Sequence, residues 1–258
     1  MNQEAFFAAT DFIIRKVSLP RTIGNMLRAV DDMADQGIGM MHTVSGVGFP
    51  MDLDVTLEIL FGKGLNTGFQ SRVFFQTMSV DKVRKRKLPR VGGCFATALD
   101  GCFGSEDAAL NRPYAGRSDH RGILFYSDEK VVEFAKRANR EGLQIEMHAI
   151  GDAAFDQAVR ALEAALKDFP RKDHRHGIIH ACLPTDQGLQ KCAELGIQIP
   201  LQPAFFMWDL EPHEFLEGIL GDRTEKLSPL RRMTDMGIVL SGGSDAPCTL
   251  PDPLFGIH

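Results

Sequence analysis

The sequence predicts an α/β fold in which parallel strands close into a barrel. Segments with apolar residues at helical spacing alternate with short apolar, β-branched runs, and this alternation is typical of βαβ units. Apolar strands of this kind need helices on both faces, which a closed barrel or a doubly wound sheet provides. No GxGxxG or GxxxxGKS/T motif opens a helix, which disfavours the nucleotide-binding doubly wound folds. A single barrel commonly has about 250 residues, and this chain has 258.

The first half of the chain contains two helices and two strands by pattern. A helix is predicted from Thr22, whose hydroxyl can cap it, to Gly37, which ends it. A strand follows over residues 38–42, and then a helix over residues 53–62. The segment 72–76 (RVFFQ) is compact, aromatic and β-branched, so it predicts a second strand.

The second half repeats this pattern more clearly. The predicted strands are residues 143–148, 176–181, 197–202 and 237–241. The predicted helices are residues 128–141, a segment with Phe155, Val159, Leu162 and Leu166 on one face, and a third helix capped by Thr185.

Composition and charge argue against several classes of function. The chain has 29 Lys and Arg residues against 34 Asp and Glu residues, and the net charge of -5 argues against a nucleic-acid partner. The basic cluster at 82–87 (KVRKRK) predicts a solvated surface helix, with an anion-binding patch as the alternative. No run approaches the roughly 18 apolar residues of a membrane span, and the N-terminus lacks a signal-peptide pattern. We therefore expect a cytoplasmic protein without a membrane partner.

The cysteines predict no disulfide framework and no zinc finger, because they are odd in number, scattered and without a CxxC pair. Most are expected to be buried free thiols. They are Cys94, Cys102, Cys182, Cys192 and Cys248.

Side chains that can bind a metal close three of the last four predicted strands. They are His148 in MHAIGD, His180 in IIHACL and Asp245 in GGSDAP. Each alone has a common structural explanation, as a core histidine or as a turn residue. Together, at the carboxyl ends of parallel strands, they are expected to converge at one mouth of the barrel. Imidazole and carboxylate are ligands that a catalytic zinc ion accepts while keeping an open position.

Other histidines are weaker candidates. His174 and His176 form an HxH motif, but His176 and His180 are four residues apart on one strand, a separation of about 13 Å. His176 and His180 therefore cannot share a metal. His174 and His176 are predicted to be structural or surface residues. His42 ends the strand predicted at 38–42 and could reach the mouth, with a core position as the alternative.

The order of several motifs carries a family resemblance. HAIGDAA, RHGIIHA, the QP at 202–203 and SDAP followed by DPLFGI occur in this order, and upstream stands LDGCFGSEDAAL with Pro113 and Tyr114. This series resembles the YtcJ-like (amidohydrolase family 3) branch of the metal-dependent amidohydrolase superfamily, which includes N-substituted formamide deformylases. The resemblance implies a distorted TIM (β/α)8-like barrel.

The resemblance also implies the chemistry. His148, His180 and Asp245 would bind a divalent metal, with zinc as the expected ion, and Asp245 would also be the catalytic base that takes a proton from the metal-activated water. The implied enzyme hydrolyses a non-peptide amide or formamide-like C–N bond of a small molecule.

The sequence departs from the family at several positions. Relatives carry an HxH on a first strand preceded by part of a β-sandwich, whereas here the first βαβ unit opens on a helix, and the chain stops at His258. Where many relatives have a metal-bridging lysine, this chain has Cys94, Ala96 and Thr97, so one metal per chain is expected. The glutamate that often precedes the histidine of the sixth strand is Ile179.

These departures predict a truncated domain. We expect residues 1–258 to form a single metal-dependent hydrolase barrel domain with about seven strands, weakened or absent metal binding, and activity in the full-length context. The seam near residues 38–42 and 237–241 would expose strand edges and apolar surface, which predicts a homo-oligomer or a local rearrangement that covers it. The alternative function is a non-catalytic or regulatory domain derived from such an enzyme, similar to an exoenzyme regulator.

Overall fold

The computed structural model describes residues 3–64 and 68–257. Seven strands occur in this part of the chain: β1 (Met40–Ser45), β2 (Gln70–Phe75), β3 (Arg90–Ala98), β4 (Gln144–Ala149), β5 (Gly177–His180), β6 (Ile199–Leu201) and β7 (Leu240–Gly242). The helices are α1 (Gln3–Ile14), α2 (Leu19–Asp35), α3 (Leu53–Gly64), α4 (Val80–Lys85), α5 (Asp128–Arg140), α6 (Asp152–Asp168), α7 (Asp186–Leu195), α8 (His213–Leu220), α9 (Leu230–Asp235) and α10 (Pro253–Ile257).

The strands form a curled parallel half-barrel that follows the order of the chain. β1 to β5 pair in sequence order, and β6 pairs with β7, all in parallel. A bridge between Gly177 and Gln198 joins the two sheets, with the Gln198 amide donating to the His176 carbonyl at 2.8 Å. Sequential parallel strands connected through helices are the architecture of a TIM-like barrel. The predicted fold class, including about seven strands, is therefore confirmed.

The core lies between the sheet and the helices that cover it. Ile145 and Met147 of β4 pack in one apolar cluster with Phe155 and Leu162 of α6. Glu146 alternates with them along β4 and faces the other side of the sheet, where its carboxylate meets His42 of β1. β4 is therefore buried on both faces, and the half-barrel has a polar interior.

α2 begins earlier than the sequence predicts. Its first residue is Leu19, because Ser18 occupies the N-cap position and Pro20, which has no backbone N–H, fits the first turn. Thr22 lies inside the helix, where its hydroxyl donates to the Ser18 carbonyl at 3.1 Å. The predicted end is confirmed, since Gly37 follows the helix with a φ of 81°.

β3 is absent from the sequence prediction, and two glycines explain why. Gly92 and Gly93 weaken a strand pattern, yet the structure requires them. Gly92 has a φ of 123°, and a Cβ there would overlap the carbonyl oxygen of Glu146 on the neighbouring strand. α8, α9 and α10 are likewise unpredicted, because they have eight residues or fewer and give a short helical signal at most. α1 is unpredicted as well.

The basic cluster at 82–87 lies largely on α4, a surface helix as predicted. Its side chains are paired with carboxylates: Lys82 and Arg86 contact Asp52 at 3.3 and 3.0 Å, and Arg84 contacts Glu141 at 2.9 Å. These pairs favour the surface-helix interpretation over the anion-binding alternative.

β1 and β7 lie at opposite ends of the strand order. Within residues 3–64 and 68–257 no strand pairs with the outer edge of either one. Met40 and Val239 near these edges are 58% and 60% exposed. The described barrel is therefore open at the predicted seam. None of the described helices has the length and apolarity needed to cross a bilayer.

Candidate metal centre

The ends of β4 and β5 bring His148 and His180 together. The strands are parallel neighbours, with His148 beside Ile179 and Ala149 beside His180. His180 has a positive φ of 71° at the end of its strand. The two rings meet edge to face, with centroids 4.6 Å apart, and both side chains are buried.

Cys94 of β3 joins the two histidines. The pairing of β3 with β4 shifts register between Gly93 and Ala98, and Cys94 lies in this irregular stretch. The Gln76 side chain supports it by accepting from the amides of Cys94 and Phe95, both at 2.8 Å. Cys94 Sγ lies 3.8 Å from His180 Nε2. One potential ligand atom from each of Cys94, His148 and His180 lies within 4.8 Å of the other two.

The hydrogen bonds of His148 leave one ring nitrogen free. Nε2 faces the Gly101 carbonyl at 3.2 Å and Asp100 Oδ1 at 3.4 Å, and both of these atoms can only accept. In the neutral ring Nε2 therefore carries the proton, and Nδ1 carries the lone pair. Nδ1 is buried and has no hydrogen-bond partner among the described residues. A buried unpaired acceptor beside a thiol and a second imidazole fits a metal-ligand role.

His180 is oriented in the complementary way. Its Nδ1 donates to Gln202 Oε1 at 2.5 Å, which leaves the Nε2 lone pair on the side of Cys94. A hydrogen bond to one ring nitrogen commonly sets which nitrogen of a histidine binds a metal. Gln202 follows β6, so three consecutive strands hold the two imidazoles and the residue that orients one of them.

Asp100 ties this arrangement to the backbone. Its Oδ1 accepts from the Ile150 amide at 3.0 Å, and its Oδ2 accepts from the amides of Gly151 and Ala109 at 2.8 and 2.9 Å. The side chain is fully buried. The loop that follows β3 is thus fastened to the loop that follows β4, next to His148.

The protonation of these side chains follows from burial and neighbouring charge. Burial, with the charge of His148, holds the pKa of His180 well below its ordinary value. Burial opposes protonation of His148, but the hydrogen bond and charge of Asp100 outweigh it and raise the pKa. Burial and the charge of Asp245 raise the pKa of the Cys94 thiol. A bound cation would act in the opposite direction on the thiol.

Asp245 lies in the loop after β7, near the histidines but outside this close group. Among the described side chains it is not one of the three whose ligand atoms lie within 4.8 Å of one another. Burial raises its pKa, and the charge of His148 and a hydrogen bond from Cys248 partly offset that effect. The carboxylate therefore acts on His148 and Cys94 through its charge.

The other histidines have separate places. His176 Nδ1 accepts from the Ile145 amide at 3.1 Å, and His174 Nε2 lies 2.9 Å from the Leu195 carbonyl oxygen. Both have the structural role that the sequence predicts. His42 is a correction: β1 continues to Ser45, so His42 lies in mid-strand rather than at its end. It stacks on Phe74 at 4.2 Å, and its Nε2 lies 3.3 Å from Glu146 Oε2.

Sequence comparison assigns the chain to a family. The sequence profile of the amidohydrolase family matches residues 28–258. The chain belongs to the amidohydrolase family. YtcJ of Bacillus subtilis (strain 168) is 31% identical to this chain over 167 residues, which are 64% of the chain and 30% of YtcJ. The N-substituted formamide deformylase of Arthrobacter pascens is 32% identical over 171 residues, which are 63% of the chain and 29% of the deformylase.

Structural comparison shows the same fold. The crystal structure of an uncharacterized metal-dependent hydrolase from Pyrococcus furiosus superposes with a TM-score of 0.73 at 23% identity. The match covers 89% of this chain and 47% of the archaeal protein. The chain thus matches under a third of the length of these two sequence relatives and about half of the archaeal protein.

The sequence marks Cys94 only as one of three residues, with Ala96 and Thr97, where many relatives of the resembled family have a bridging lysine. Its position just before the DG segment is the signal that could have identified it as a ligand, because the lysine it replaces would face the same mouth. The sequence motifs that contain Asp100 and Gln202 indicate no role for either side chain, since their partners lie on other segments of the chain.

Proposed function

We propose that this amidohydrolase hydrolyses an amide or formamide-like C–N bond of a small molecule with one divalent metal ion, zinc, per chain. The convergence of Cys94, His148 and His180, with a free lone pair on each ring, carries the proposal. Thiolate sulfur and imidazole nitrogen are both ligand types that zinc accepts. The name of the deformylase relative supports the formamide-like substrate class.

We assign the ligands by their distances. His148 and His180 are the nitrogen ligands, and Cys94 is the third ligand because its Sγ already lies beside His180. Asp245 then serves as the proton acceptor. The alternative set is His148, His180 and Asp245, in which the loop after β7 brings the carboxylate to the ion.

The metal ion and the side chains have separate roles in the proposed reaction. A bound ion would supply a Lewis acid that polarises the substrate carbonyl and lowers the pKa of a nearby water molecule. Asp245 accepts a proton as water adds to the carbonyl carbon, and it passes this proton to the nitrogen as the C–N bond breaks. Its raised pKa suits a group that both takes and returns a proton. Asp100 and Gln202 keep the two imidazole lone pairs directed to one point.

The remaining assignments are proposals of the same kind. We propose residues 1–258 as one hydrolase barrel domain of a cytoplasmic protein. We also propose that a second copy covers the seam between β1 and β7, where strand edges and apolar side chains are exposed.

Elemental analysis tests the ligand set. We expect weak, titratable zinc binding in the unaltered chain, and its loss in Cys94→Ala. Cys192→Ala, which removes a buried thiol of α7, is the matched control and should retain the metal. Retention of zinc by Cys94→Ala together with its loss in Asp245→Asn would favour the alternative set.

A formanilide hydrolysis assay tests the reaction itself. Turnover that needs added zinc and disappears in Asp245→Asn supports the proposal. A folded chain that binds no metal and hydrolyses no amide would contradict it and support the non-catalytic, regulatory domain.

A further inference from the structure

The segment after β6, residues 202–211, begins with the residue that orients His180. Gln202 Oε1 accepts from His180 Nδ1 at 2.5 Å. A hydrogen bond every third residue then runs along the segment. The amides of Phe205, Trp208 and Glu211 donate to the carbonyls of Gln202, Phe205 and Trp208 at 3.0, 3.2 and 3.1 Å. The backbone is therefore hydrogen-bonded from Gln202 to Glu211.

Ring stacking joins the same segment to His180. The Phe205 ring lies on His180, with centroids 5.8 Å apart and planes at 14°, and the Trp208 ring lies on Phe205 at 4.9 Å and 16°. Further along the segment, Met207 and Leu210 are each 72% exposed, so these two side chains add little packing. The outer part of the segment thus needs another anchor.

Glu211 provides that anchor on the loop after β3. Its Oε1 accepts from the Gly104 amide at 2.5 Å, and the Cys102 thiol also donates to the carboxylate. The approach is close, because a Cβ on Gly104 would lie 2.8 Å from Glu211 Oε1. Hydrogen bonds to an ionised carboxylate are stronger than those between neutral groups. Glu211 therefore fastens together two loops whose contacting residues are 107 positions apart in the chain.

The loop that Glu211 contacts also carries both groups that face His148 Nε2. The Gly101 carbonyl oxygen lies 3.2 Å from this nitrogen, and Asp100 Oδ1 lies 3.4 Å from it. The Gly101 amide donates to the Asp107 carbonyl at 3.2 Å, which keeps the loop compact. The Glu211 contact thus links the segment that orients one candidate ligand to the loop that orients the other.

We propose that Glu211 is a positioning residue that holds these two loops in the arrangement that makes His148 and His180 converge. This inference rests on the proposed function, because it concerns the proposed nitrogen ligands. Glu211 acts on them through Gln202 and through the loop after β3. Loss of a residue that directly orients a ligand weakens metal affinity by about 10- to 100-fold. Glu211 is one contact further away, so we expect a loss of about 3- to 10-fold.

Hydrogen exchange of imidazole N–H groups tests the inference in the metal-free chain. The His180 Nδ1–H is followed by NMR in the whole chain labelled with 15N-histidine. Because this N–H exchanges when its bond to Gln202 opens, Glu211→Ala should speed its exchange by about 3- to 10-fold. The internal reference is the His174 Nε2–H, which donates to the Leu195 carbonyl at 2.9 Å near the other end of β5. Its exchange should not change.

Variants separate the contact from general stability. Glu211→Gln keeps an accepting oxygen and should restore slow exchange. Gly104→Ala perturbs the contact from the other loop and should also speed exchange. It should add nothing to Glu211→Ala, because the methyl then has no Oε1 to meet. Glu217→Ala is the matched control, because this carboxylate is 59% exposed, and it should behave like the unaltered chain. Circular dichroism confirms that each variant is folded.

Zinc affinity, measured by chelator competition, connects the contact with the metal. Glu211→Ala should bind zinc about 3- to 10-fold more weakly than the unaltered chain, and Glu211→Gln should match the unaltered chain. Faster His180 exchange in Glu211→Ala, in a chain that binds no zinc, supports the positioning role and contradicts the proposed metal-dependent function. Zinc-dependent hydrolysis with unchanged His180 exchange in Glu211→Ala does the reverse.

Three further results would overturn the inference. The first is an equal rise in exchange at His180 and His174 in Glu211→Ala, which general destabilisation produces. The second is fast exchange in Glu211→Gln, which keeps the acceptor. The third is equal zinc affinity of Glu211→Ala and the unaltered chain.

Discussion

The substitution Asp100→Asn tests how the candidate metal centre is built. The carboxylate accepts hydrogen bonds from three backbone amides and faces His148 Nε2. Asparagine keeps one accepting oxygen and replaces the other with a donor. In one orientation the new NH2 group faces the amides of Gly151 and Ala109, and in the other it faces Ile150 and His148.

The two orientations have different consequences. A buried N–H left without an acceptor costs about 1–3 kcal/mol, so the first orientation lowers the free energy of unfolding by about 2–6 kcal/mol. The second leaves the Ile150 amide unpaired, at about 1–3 kcal/mol, and favours a proton on His148 Nδ1 instead of Nε2. That tautomer removes the free lone pair, and loss of such an orienting partner weakens metal affinity by about 10- to 100-fold.

Two measurements check this prediction. Urea unfolding followed by circular dichroism gives the free energy, and competition with a chromophoric chelator gives the zinc affinity. Asp222→Asn is the matched control, because its side chain is 74% exposed and its loss should change stability by less than about 0.5 kcal/mol. The reasoning fails if Asp100→Asn matches this control in both stability and zinc affinity.

Two further predictions concern the fold. Burial lowers the pKa of His176 to about 2, so its neutral form contributes stability that is complete above the unfolded-state pKa of about 6.5 and is lost as the pH falls toward 2. Between about pH 7.5 and 5, the free energy of unfolding measured with urea should fall by about 2 kcal/mol through this residue. The fall should be smaller in His176→Asn and unchanged in His120→Asn. An equal fall in the unaltered chain and both variants would contradict this assignment. Gly92→Ala should prevent folding or destabilise the chain by more than about 3 kcal/mol, because the added methyl overlaps the Glu146 carbonyl at a φ of 123°. Gly39→Ala, with no atom near its Cβ, is the control, and equal urea midpoints for the two variants would contradict this explanation.

The local sequence pattern was sufficient to place helices where the apolar periodicity was strong or the capping residue was clear. α5, α6 and α7 lie where the apolar spacing predicts them, and Thr185 caps α7 by accepting from the Gly188 amide. The closeness of His148 and His180 also follows from the sequence, because both close consecutive parallel strands, whose ends meet at one edge.

The tertiary structure decided which other groups reach that edge. Cys94 meets His180 because of the register shift between Gly93 and Ala98, and a shift of that kind leaves no mark in an alternating pattern. His42 is in mid-strand because β1 pairs with β2 up to Ser45. The bonds of Asp100 join chain positions about fifty residues apart, as in its contact with the Gly151 amide.

Sequence by itself thus determined the parallel α/β architecture, the family and two of the candidate ligands, because these depend on spacing along the chain. Only the folded chain brought Cys94 beside the two histidines, gave the ring nitrogens their neighbours and stacked His180, Phe205 and Trp208. These depend on distances across strands and loops, which are set by packing and by the need to pair buried polar groups.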